Sequence, residues 1–491
     1  MFPKRTRASW RLPSLECGAG LLVAALLAAC SGCSSDGSST SSTAQPNQPN
    51  QPSASGAPQD TSAPAQPSPA PAAPSGNSTS MEAPAQPSAL VPPATAGGAS
   101  ADDGTAQMPA PPPPAGPQHW VGTWTASPYF DAGNQPPAPL SNSVLRQIAR
   151  ISLGGSQLRV QFSNLTGNGP VTINSVHIAR CNAAPAVDST IDVATDKALS
   201  FSGMPSVTIP QGQEIWSDPI DFEVPSLGNV TITTAFGNVP SNVVGHSGSR
   251  TTSYLQSGST DVSAASMAGA QTTDHWYYIS GIDVMADANA VGAVAIGDSI
   301  TDGRGTDTNH NNRWTDILAA RLLANAPTAH VSMMNQGIGA TNLVGNSGTA
   351  AQARFNRDVL GQSAVRYAIV FDGVNDIGGN AQFAAMKAAY DDLIARAHAK
   401  GILIYGATIL PFAGNGYYTV AHENVRQQVN AYIRSGVFDA VIDFDAAVTD
   451  GGNPPRLQQA FAAWAQQDGL HPGPAGYQRI GETADLGLFT K

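Results

Sequence analysis

The sequence predicts two folded domains of different class, an antiparallel β-sandwich over residues 118–286 and an α/β domain with a parallel sheet over residues 287–491. In the first, apolar and polar residues alternate in short runs separated by Gly, Asn and Pro, which is typical of half-buried strands. In the second, short apolar runs alternate with helical patterns, which favours a parallel sheet covered by helices on both faces. At 491 residues the chain also exceeds the size at which a single core usually stops growing.

Residues 1–29 have the pattern of a secretory signal. Four basic side chains lie within the first eleven residues, and residues 18–29 (GAGLLVAALLAA) form an apolar run too short to span a bilayer comfortably. The run ends in LAAC at Cys30, which resembles a bacterial lipoprotein signal, where cleavage before the cysteine precedes its acylation. We therefore expect an exported lipoprotein of the cell envelope, at the outer membrane or the cell surface, anchored only through Cys30. The alternative is an ordinary signal peptide with an incidental cysteine, which would leave the protein secreted.

Residues 30–117 are predicted to be a disordered linker. They consist almost wholly of Ser, Pro, Ala, Gly, Gln, Asn and Thr, and such a segment cannot bury enough apolar surface to offset its ordering entropy. The prolines favour extended geometry, which would make the segment a long, semi-stiff tether. A low-complexity tail without a spacing role is the alternative.

Charge and cysteine content exclude several classes of function. The formal net charge is −11, and removal of the basic signal would make it more negative, which argues against nucleic acid or an anionic membrane as the main partner. The four cysteines form no disulfide framework, since only Cys181 falls in a region expected to fold. The nine histidines show neither HExxH nor another metal-ligand spacing, so we expect no metal and no cofactor.

The expected elements can be given in order. In the first domain, Leu158, Val160 and Phe162 share one face of a run, and the strands are expected at residues 157–164, 171–179, 229–238 and 276–285. In the second domain, strands are expected at residues 291–297, 330–335, 365–373, 402–410 and 438–444. Helices are expected between them at residues 313–324, 384–401 and 423–435, the second ending at Gly401.

Four short polar segments follow predicted strands or lie near the C-terminus of the second domain. They are residues 297–300 (GDSI), 335–340 (NQGIGA), 373–376 (GVND) and 468–472 (DGLHP). The carboxyl ends of parallel strands are where ligands bind in open α/β sheets. Ser, His and Asp in this setting suit acyl transfer, since a serine hydroxyl is a weak nucleophile until a base takes its proton. His471 fits the base, with Asp468 three residues earlier able to reach its other ring nitrogen.

In order and spacing these segments resemble blocks I, II, III and V of the SGNH/GDSL hydrolase superfamily, over residues 291–491. The resemblance implies a three-layer, flavodoxin-like fold and a carboxylic ester hydrolase with an acyl-enzyme intermediate. It implies Ser299 as nucleophile, with His471 and Asp468 completing the triad. The oxyanion donors would be the Ser299 backbone N–H, a block II backbone N–H and the Asn375 side-chain amide.

The chain departs from the family pattern at the block II donor. The family's oxyanion glycine falls on Ala340, which can serve through its backbone N–H if its φ and ψ permit, and Gly339 is the alternative. We interpret Asp298 and Asp376, which lie within the same motifs, as structural hydrogen-bonding residues rather than catalytic ones.

A broader resemblance covers residues 119–491. The opening HWVGTWTASP at residues 119–128 and the loop PFAGNGYYT at residues 411–419 look like a bacterial branch of exported esterases, some associated with xylan degradation. This implies release of short acyl groups, such as acetyl, from polysaccharide or small esters. The alternatives are a lipase or lysophospholipase of the same fold, and a cell-surface protein whose residues 118–286 bind glycan. Tyr417 and Tyr418 would either line the substrate cleft or pack within their loop.

Overall fold

The computed structural model describes residues 117–181, 188–462 and 465–491. The predicted signal peptide, Cys30 and all but the last residue of the predicted linker lie outside the described residues. In the part of the chain that is described, no helix is both long and apolar enough to cross a membrane.

The first part of the described chain is built from antiparallel strands. We number them β1 to β15, with the bounds Gln118–Thr125, Tyr129–Phe130, Ser143–Arg150, Gly155–Ser163, Val171–Arg180, Asp192–Ala198, Val207–Ile209, Glu214–Trp216, Ile220–Val224, Asn229–Phe236, Val244–His246, Ser253–Ser257, Gln271–Thr273, Trp276–Tyr277 and Ile279–Asp287. One sheet has the order β1-β15-β4-β8, with β9 also paired to β4. A second has the order β13-β12-β3-β10-β5-β6, with β7 paired to β5, and a small sheet joins β14, β11 and β2.

The predicted alternation is confirmed in these strands. Leu158, Val160 and Phe162 are fully buried in β4, whereas Arg159 and Gln161 between them are only partly buried. The buried faces of the two large sheets share one hydrophobic core, which is the arrangement of a β-sandwich.

The second part contains a five-stranded parallel sheet with helices. Strands β16 to β20 span Val291–Gly297, Val331–Gly337, Val365–Phe371, Leu403–Ala407 and Ala440–Ile442. Their order β17-β16-β18-β19-β20 is the flavodoxin-like order 2-1-3-4-5, as the sequence predicts. Helices α1 to α9 span Ser299–Asp302, Trp314–Ala324, Ala351–Phe355, Val374–Gly378, Phe383–His398, Val420–Tyr432, Phe444–Val448, Ala465–Asp468 and Pro474–Thr483. Helix α2 packs on α9 and α9 on α7, while α5 contacts both α3 and α6.

Most predicted boundaries are shifted by a few residues in the structure, and caps explain two of the shifts. Helix α6 begins at Val420 instead of residue 423, because the Thr419 side chain accepts the N–H of His422 and starts the helix earlier. The last strand covers only residues 440–442 of the predicted 438–444. Its end is set by Asp443, whose side chain accepts the N–H of Ala446 and thereby caps α7.

The β-rich part packs directly against the parallel sheet. Strand β1 lies against β17, and Ser332 Oγ at the start of β17 donates to Gly122 O of β1 at 2.6 Å. The Met333 N–H donates to Ser152 Oγ at 2.9 Å, so a second segment of the β-rich part holds the same strand. The β-sandwich core and the α/β core thus lie on the two sides of an interface with direct hydrogen bonds. The domain boundary at residues 286 and 287 stays a prediction.

Candidate active site

The backbone turn after β16 places Ser299 at the carboxyl edge of the parallel sheet. Asp298 caps α1, its Oδ1 accepting the Ile300 N–H at 2.9 Å, and Ser299 is the first residue of that helix. A Cβ on Gly297 would lie 2.1 Å from Phe371 O of the neighbouring strand, so the turn needs glycine. The Ser299 hydroxyl is therefore held in one place, in a side chain that is largely buried.

Ser299, His471 and Asp468 form a continuous chain of hydrogen bonds. Ser299 Oγ lies 2.8 Å from His471 Nε2, and His471 Nδ1 lies 2.5 Å from Asp468 Oδ2. An ionised carboxylate only accepts, so Nδ1 carries the ring proton that is donated to Asp468, and Nε2 accepts the serine hydroxyl. The structure thus brings together all three side chains that the sequence assigned to a triad, in the order of contacts that acyl transfer requires.

The charge states of His471 and Asp468 suit a general base and the carboxylate that orients it. Burial lowers the pKa of His471; the hydrogen bond and charge of Asp468 oppose that effect, and the positive charges of Arg304 and Arg250 add to it, so the pKa lies below the ordinary 6.5. For Asp468, burial would raise the pKa, but hydrogen bonds from the His471 ring and from the backbone N–H groups of His471 and Leu470 outweigh it. Its pKa is lowered, so Asp468 is ionised and His471 neutral near pH 7.

A glycine fixes the loop that carries both residues. Gly469 has φ +70°, and a Cβ there would lie 2.3 Å from the carbonyl carbon of Gly414 in the loop after β19. Asn415 in that loop donates from Nδ2 to Asp468 O at 2.6 Å. The two loops therefore touch through their backbones, which only glycine permits.

The predicted oxyanion donors line the same cleft as Ser299 and His471. Asn375 lies in α4 directly after β18; its Nδ2 donates to Thr341 O at 2.8 Å and its Oδ1 accepts the Tyr417 hydroxyl at 3.2 Å. These two contacts fix the plane of the amide. Ala340 has φ +59°, a left-handed conformation in which an alanine is strained and the family's glycine is not.

Comparison with known proteins agrees with this fold. Residues 295–479 match the model of the GDSL-like lipase/acylhydrolase family. The C-terminal part of this chain is a GDSL-like acylhydrolase domain. The predicted resemblance to the SGNH/GDSL hydrolases and the predicted class of carboxylic ester hydrolase are therefore confirmed, while the roles of individual site residues stay predictions.

Several solved structures of this family are similar to the acylhydrolase domain, whereas no curated protein matches the chain. A member of the lipolytic G-D-S-L family from Veillonella parvula is 21% identical, with 41% of this chain and 100% of that chain covered, at a TM-score of 0.30. A GDSL-like lipase from Bacteroides thetaiotaomicron is 18% identical, with 39% and 84% covered, at 0.30. An acetylxylan esterase from Geobacillus stearothermophilus, solved as a catalytic mutant, is 18% identical, with 39% and 91% covered, at 0.30.

The other motif residues of the acylhydrolase domain hold its loops in place. Asp376 accepts the N–H groups of Leu343 and Val344 at 2.7 and 2.9 Å, which ties the loop after β17 to α4. Together with the cap that Asp298 forms on α1, this confirms the expected hydrogen-bonding roles of both aspartates. Thr341, whose backbone carbonyl orients Asn375, could not be predicted from the sequence, because any residue type can supply a backbone carbonyl.

The two tyrosines of the loop after β19 have different positions. Tyr417 lines the cleft, and its ring also covers Gly378, where an added Cβ would lie 2.6 Å from the ring. Tyr418 packs on Phe412, with ring centroids 6.5 Å apart. One residue thus lines the cleft and supports Asn375, and the other packs within the loop.

The β-rich part supplies one wall of the catalytic cleft, which the sequence reasoning missed. The cleft has a volume of about 1250 Å³ including its open mouth, and its β-rich wall includes Tyr129, Asp131, Arg250 and His275. None of these residues lies in a motif. No group of three or more His, Cys, Asp or Glu side chains that could hold a metal ion occurs among the described residues.

Proposed function

We propose that this protein is an exported serine esterase that removes short acyl groups, above all acetyl, from polysaccharide or similar polyhydroxylated esters. The observation that carries the proposal is the hydrogen-bonded chain from Ser299 through His471 to Asp468, which opens into a wide and polar cleft. The export and the identity of the substrate are part of the proposal, whereas ester hydrolysis follows from the family of the domain.

The first half of the reaction forms an acyl-enzyme. Ser299 Oγ attacks the ester carbonyl carbon while His471 Nε2 takes the hydroxyl proton, and the carbonyl oxygen becomes an oxyanion. Its proposed donors are the Ser299 N–H, the Asn375 amide and a backbone N–H of the loop that contains Ala340. Collapse of this intermediate breaks the bond to the alcohol oxygen, which receives the proton from His471. The lowered pKa of His471 suits this role, since the ring starts neutral and gives up its proton readily.

The second half returns the enzyme to its starting state. Water replaces the alcohol, His471 takes one of its protons, and the hydroxide attacks the acyl carbonyl through the same oxyanion site. Asp468 keeps the imidazole in one tautomer and stabilises the imidazolium in both halves. The carboxylic acid leaves and Ser299 regains its proton.

The lining of the cleft supports a short acyl group and a polar alcohol. Among its described lining residues, only Ala340 and Leu470 have aliphatic side chains. Each additional methylene of an acyl chain gains about 0.8 kcal/mol only where an apolar surface buries it. Long chains therefore gain little here, while hydroxyl-rich alcohols meet many polar side chains.

Export supports a polymeric substrate. A lipid on Cys30 and the tether of residues 30–117 would hold the folded part away from a membrane while leaving the cleft accessible. The partner is then an acylated polysaccharide or a small ester, and the membrane is contacted through the anchor alone.

The catalytic assignment is tested with Ser299→Ala on p-nitrophenyl acetate. The control is Ser435→Ala, an exposed serine three residues after the end of α6. We expect kcat to fall by about three to six orders of magnitude in the first variant and to stay unchanged in the second. Activity of Ser299→Ala above a tenth of the wild type would reject Ser299 as nucleophile.

The substrate class is tested with nitrophenyl esters from C2 to C16 and with acetate release from acetylated xylan. We expect C2–C4 esters to react faster than C12 and longer, and acetate to be released from the glycan. A maximum at C12 or above with no acetate from any glycan would instead identify a lipolytic enzyme.

A further inference from the structure

Three loops of the β-rich part face the catalytic residues across the cleft. They carry Tyr129 in β2 and Asp131 directly after it, Arg250 after β11, and His275 before β14. The loops are joined to one another, since the Tyr129 hydroxyl and Ser247 Oγ are hydrogen-bonded and His275 Nδ1 donates to Ser247 O at 2.6 Å. This wall is therefore a built surface and not a set of independent loops.

The same loops are fixed to the acylhydrolase domain. Arg313 Nη2 donates to Gly248 O at 3.0 Å, and the Asn309 N–H donates to Arg250 O at 2.8 Å. Arg250 itself has φ +49°, an unusual conformation for a residue other than glycine, which such contacts hold in place.

Two arginines line this cleft. Arg250 comes from the β-rich part, and Arg304 follows α1, two residues after its end. Arg304 is exposed, and its carbonyl accepts the Tyr477 hydroxyl at 2.6 Å. Among the described residues the Arg250 guanidinium forms no ion pair, and its Nε is buried without a hydrogen-bond partner. A buried guanidinium donor left unpaired is costly, which indicates that a ligand satisfies it.

The acidic groups of the cleft do not cancel these two charges at the catalytic histidine. Asp302 is paired with His246 at 3.0 Å, and Asp131 accepts the N–H of Gly133 at 2.9 Å and a second hydrogen bond from Asn134. Asp274 is the third, and its carboxylate lies 3.8 Å from His275 Nδ1 with almost half of the side chain exposed. Besides Asp468, the charges that act most on the pKa of His471 are those of Arg304 and Arg250.

We propose that Arg250 and Arg304 form a subsite beside His471 that binds an anionic oxygen group, a carboxylate or a phosphate, on the alcohol part of the ester. The alcohol side follows from the chemistry, since His471 donates its proton to the departing alcohol oxygen and groups near it face that half of the substrate. A guanidinium binds both anions through paired N–H donors. The proposal rests on the proposed esterase function and adds that the β-rich part takes part in substrate selection.

The test uses three phenyl acetates that differ in the meta substituent, which is a carboxylate, its methyl ester or a phosphate: 3-acetoxybenzoate, methyl 3-acetoxybenzoate and 3-acetoxyphenyl phosphate. The full chain is assayed at pH 8, where His471 is neutral, and kcat/KM of each anionic ester is divided by that of the neutral methyl ester. We expect this ratio to fall about tenfold in Arg250→Met for the anion that the subsite binds. In Arg250→Lys, which keeps the charge but not the paired donors, the ratio should recover in part.

The control is Arg366→Met. Arg366 is exposed and lies at the start of β18, whereas the site lies at the carboxyl end of that strand. It should leave the ratio and the absolute rates as in the wild type. The anionic ester whose ratio falls identifies whether the subsite binds a carboxylate or a phosphate.

Two outcomes would overturn the subsite. One is a ratio in Arg250→Met within twofold of the wild type for both anions. The other is a parallel loss on all three esters, which would assign Arg250 to the chemistry or to the fold. A wild-type protein that hydrolyses none of the three esters would instead overturn the proposed function.

Discussion

Asp298 is expected to make the stability of this protein fall as the pH rises. Its side chain is 2% exposed next to Ser299, and burial raises its pKa from 3.8 to about 7. The hydrogen bond from the Ile300 N–H and the charge of Arg354 oppose this shift, while the negative charges of Asp376 and Asp302 add to it.

The sign and size of the effect follow from linkage. The folded protein holds the Asp298 proton up to about pH 7, whereas the unfolded chain releases it near pH 3.8. Between these values the folded state binds more protons, so the free energy of unfolding decreases with pH. A shift of about three units, at about 1.4 kcal/mol each, corresponds to a loss of about 4 kcal/mol between pH 4 and pH 7.5. This is a large share of a typical stability of about 5–15 kcal/mol.

The substitution Asp298→Asn removes this titration and keeps the acceptor that caps α1, since Asn and Asp are comparable caps. Urea unfolding followed by tryptophan fluorescence at pH 4.0, 5.5 and 7.5 gives the free energy of unfolding of both proteins. We expect the variant to be similar to the wild type at pH 4.0 and more stable by up to about 4 kcal/mol at pH 7.5.

Asp485→Asn is the matched control, because Asp485 also caps a helical turn, accepting the Gly487 N–H at 2.9 Å, but is exposed. It should follow the wild-type pH dependence. A difference between Asp298→Asn and the wild type that is the same at pH 4.0 and pH 7.5 would refute the reasoning.

Three further predictions concern the oxyanion donors and export. Asn375→Ala should lower kcat by about 10²–10³ with little change in KM, because an oxyanion donor acts mainly in the transition state; a change in KM alone would contradict this. Ala340→Gly should raise stability in urea by about 0.5–1 kcal/mol by relieving the positive φ, while Ala399→Gly, at φ −61°, should lower it by a similar amount. A palmitate analogue should label wild-type cells and not Cys30→Ser; equal labelling, or none, would reject the anchor.

The sequence predicts those site residues that directly follow the end of a strand. Ser299 follows β16 and Asn375 follows β18, and parallel strands bring their carboxyl ends to one edge. His471 and Asp468 need no sheet to meet, because a three-residue spacing and Gly469 suffice. The local sequence therefore determines the positions of these residues, and a short motif is enough to predict them.

Arg250 shows why the rest could not be predicted. It lies 49 residues before Ser299 in the chain, after a short strand with no catalytic pattern. Whether it reaches the cleft depends on which face of the β-sandwich meets the parallel sheet. That orientation is set by contacts such as Ser332 to Gly122 and Arg313 to Gly248, in which a side chain donates to a backbone carbonyl. Such contacts leave no pattern in one sequence.

The same interface also joins the β-rich part to the helix that begins with Ser299. His246 of β11 lies 3.0 Å from Asp302 Oδ1 in α1 through Nε2, and its Nδ1 lies 3.0 Å from Ser127 O. The imidazole thus contacts one oxygen of the β-rich part and one of α1. Both side chains are almost fully buried, and removing either one would leave a buried polar group of the other without its hydrogen-bond partner. Any movement of the β-rich wall therefore acts on the helix that begins with Ser299, and the loops proposed to select the substrate are connected to the predicted nucleophile.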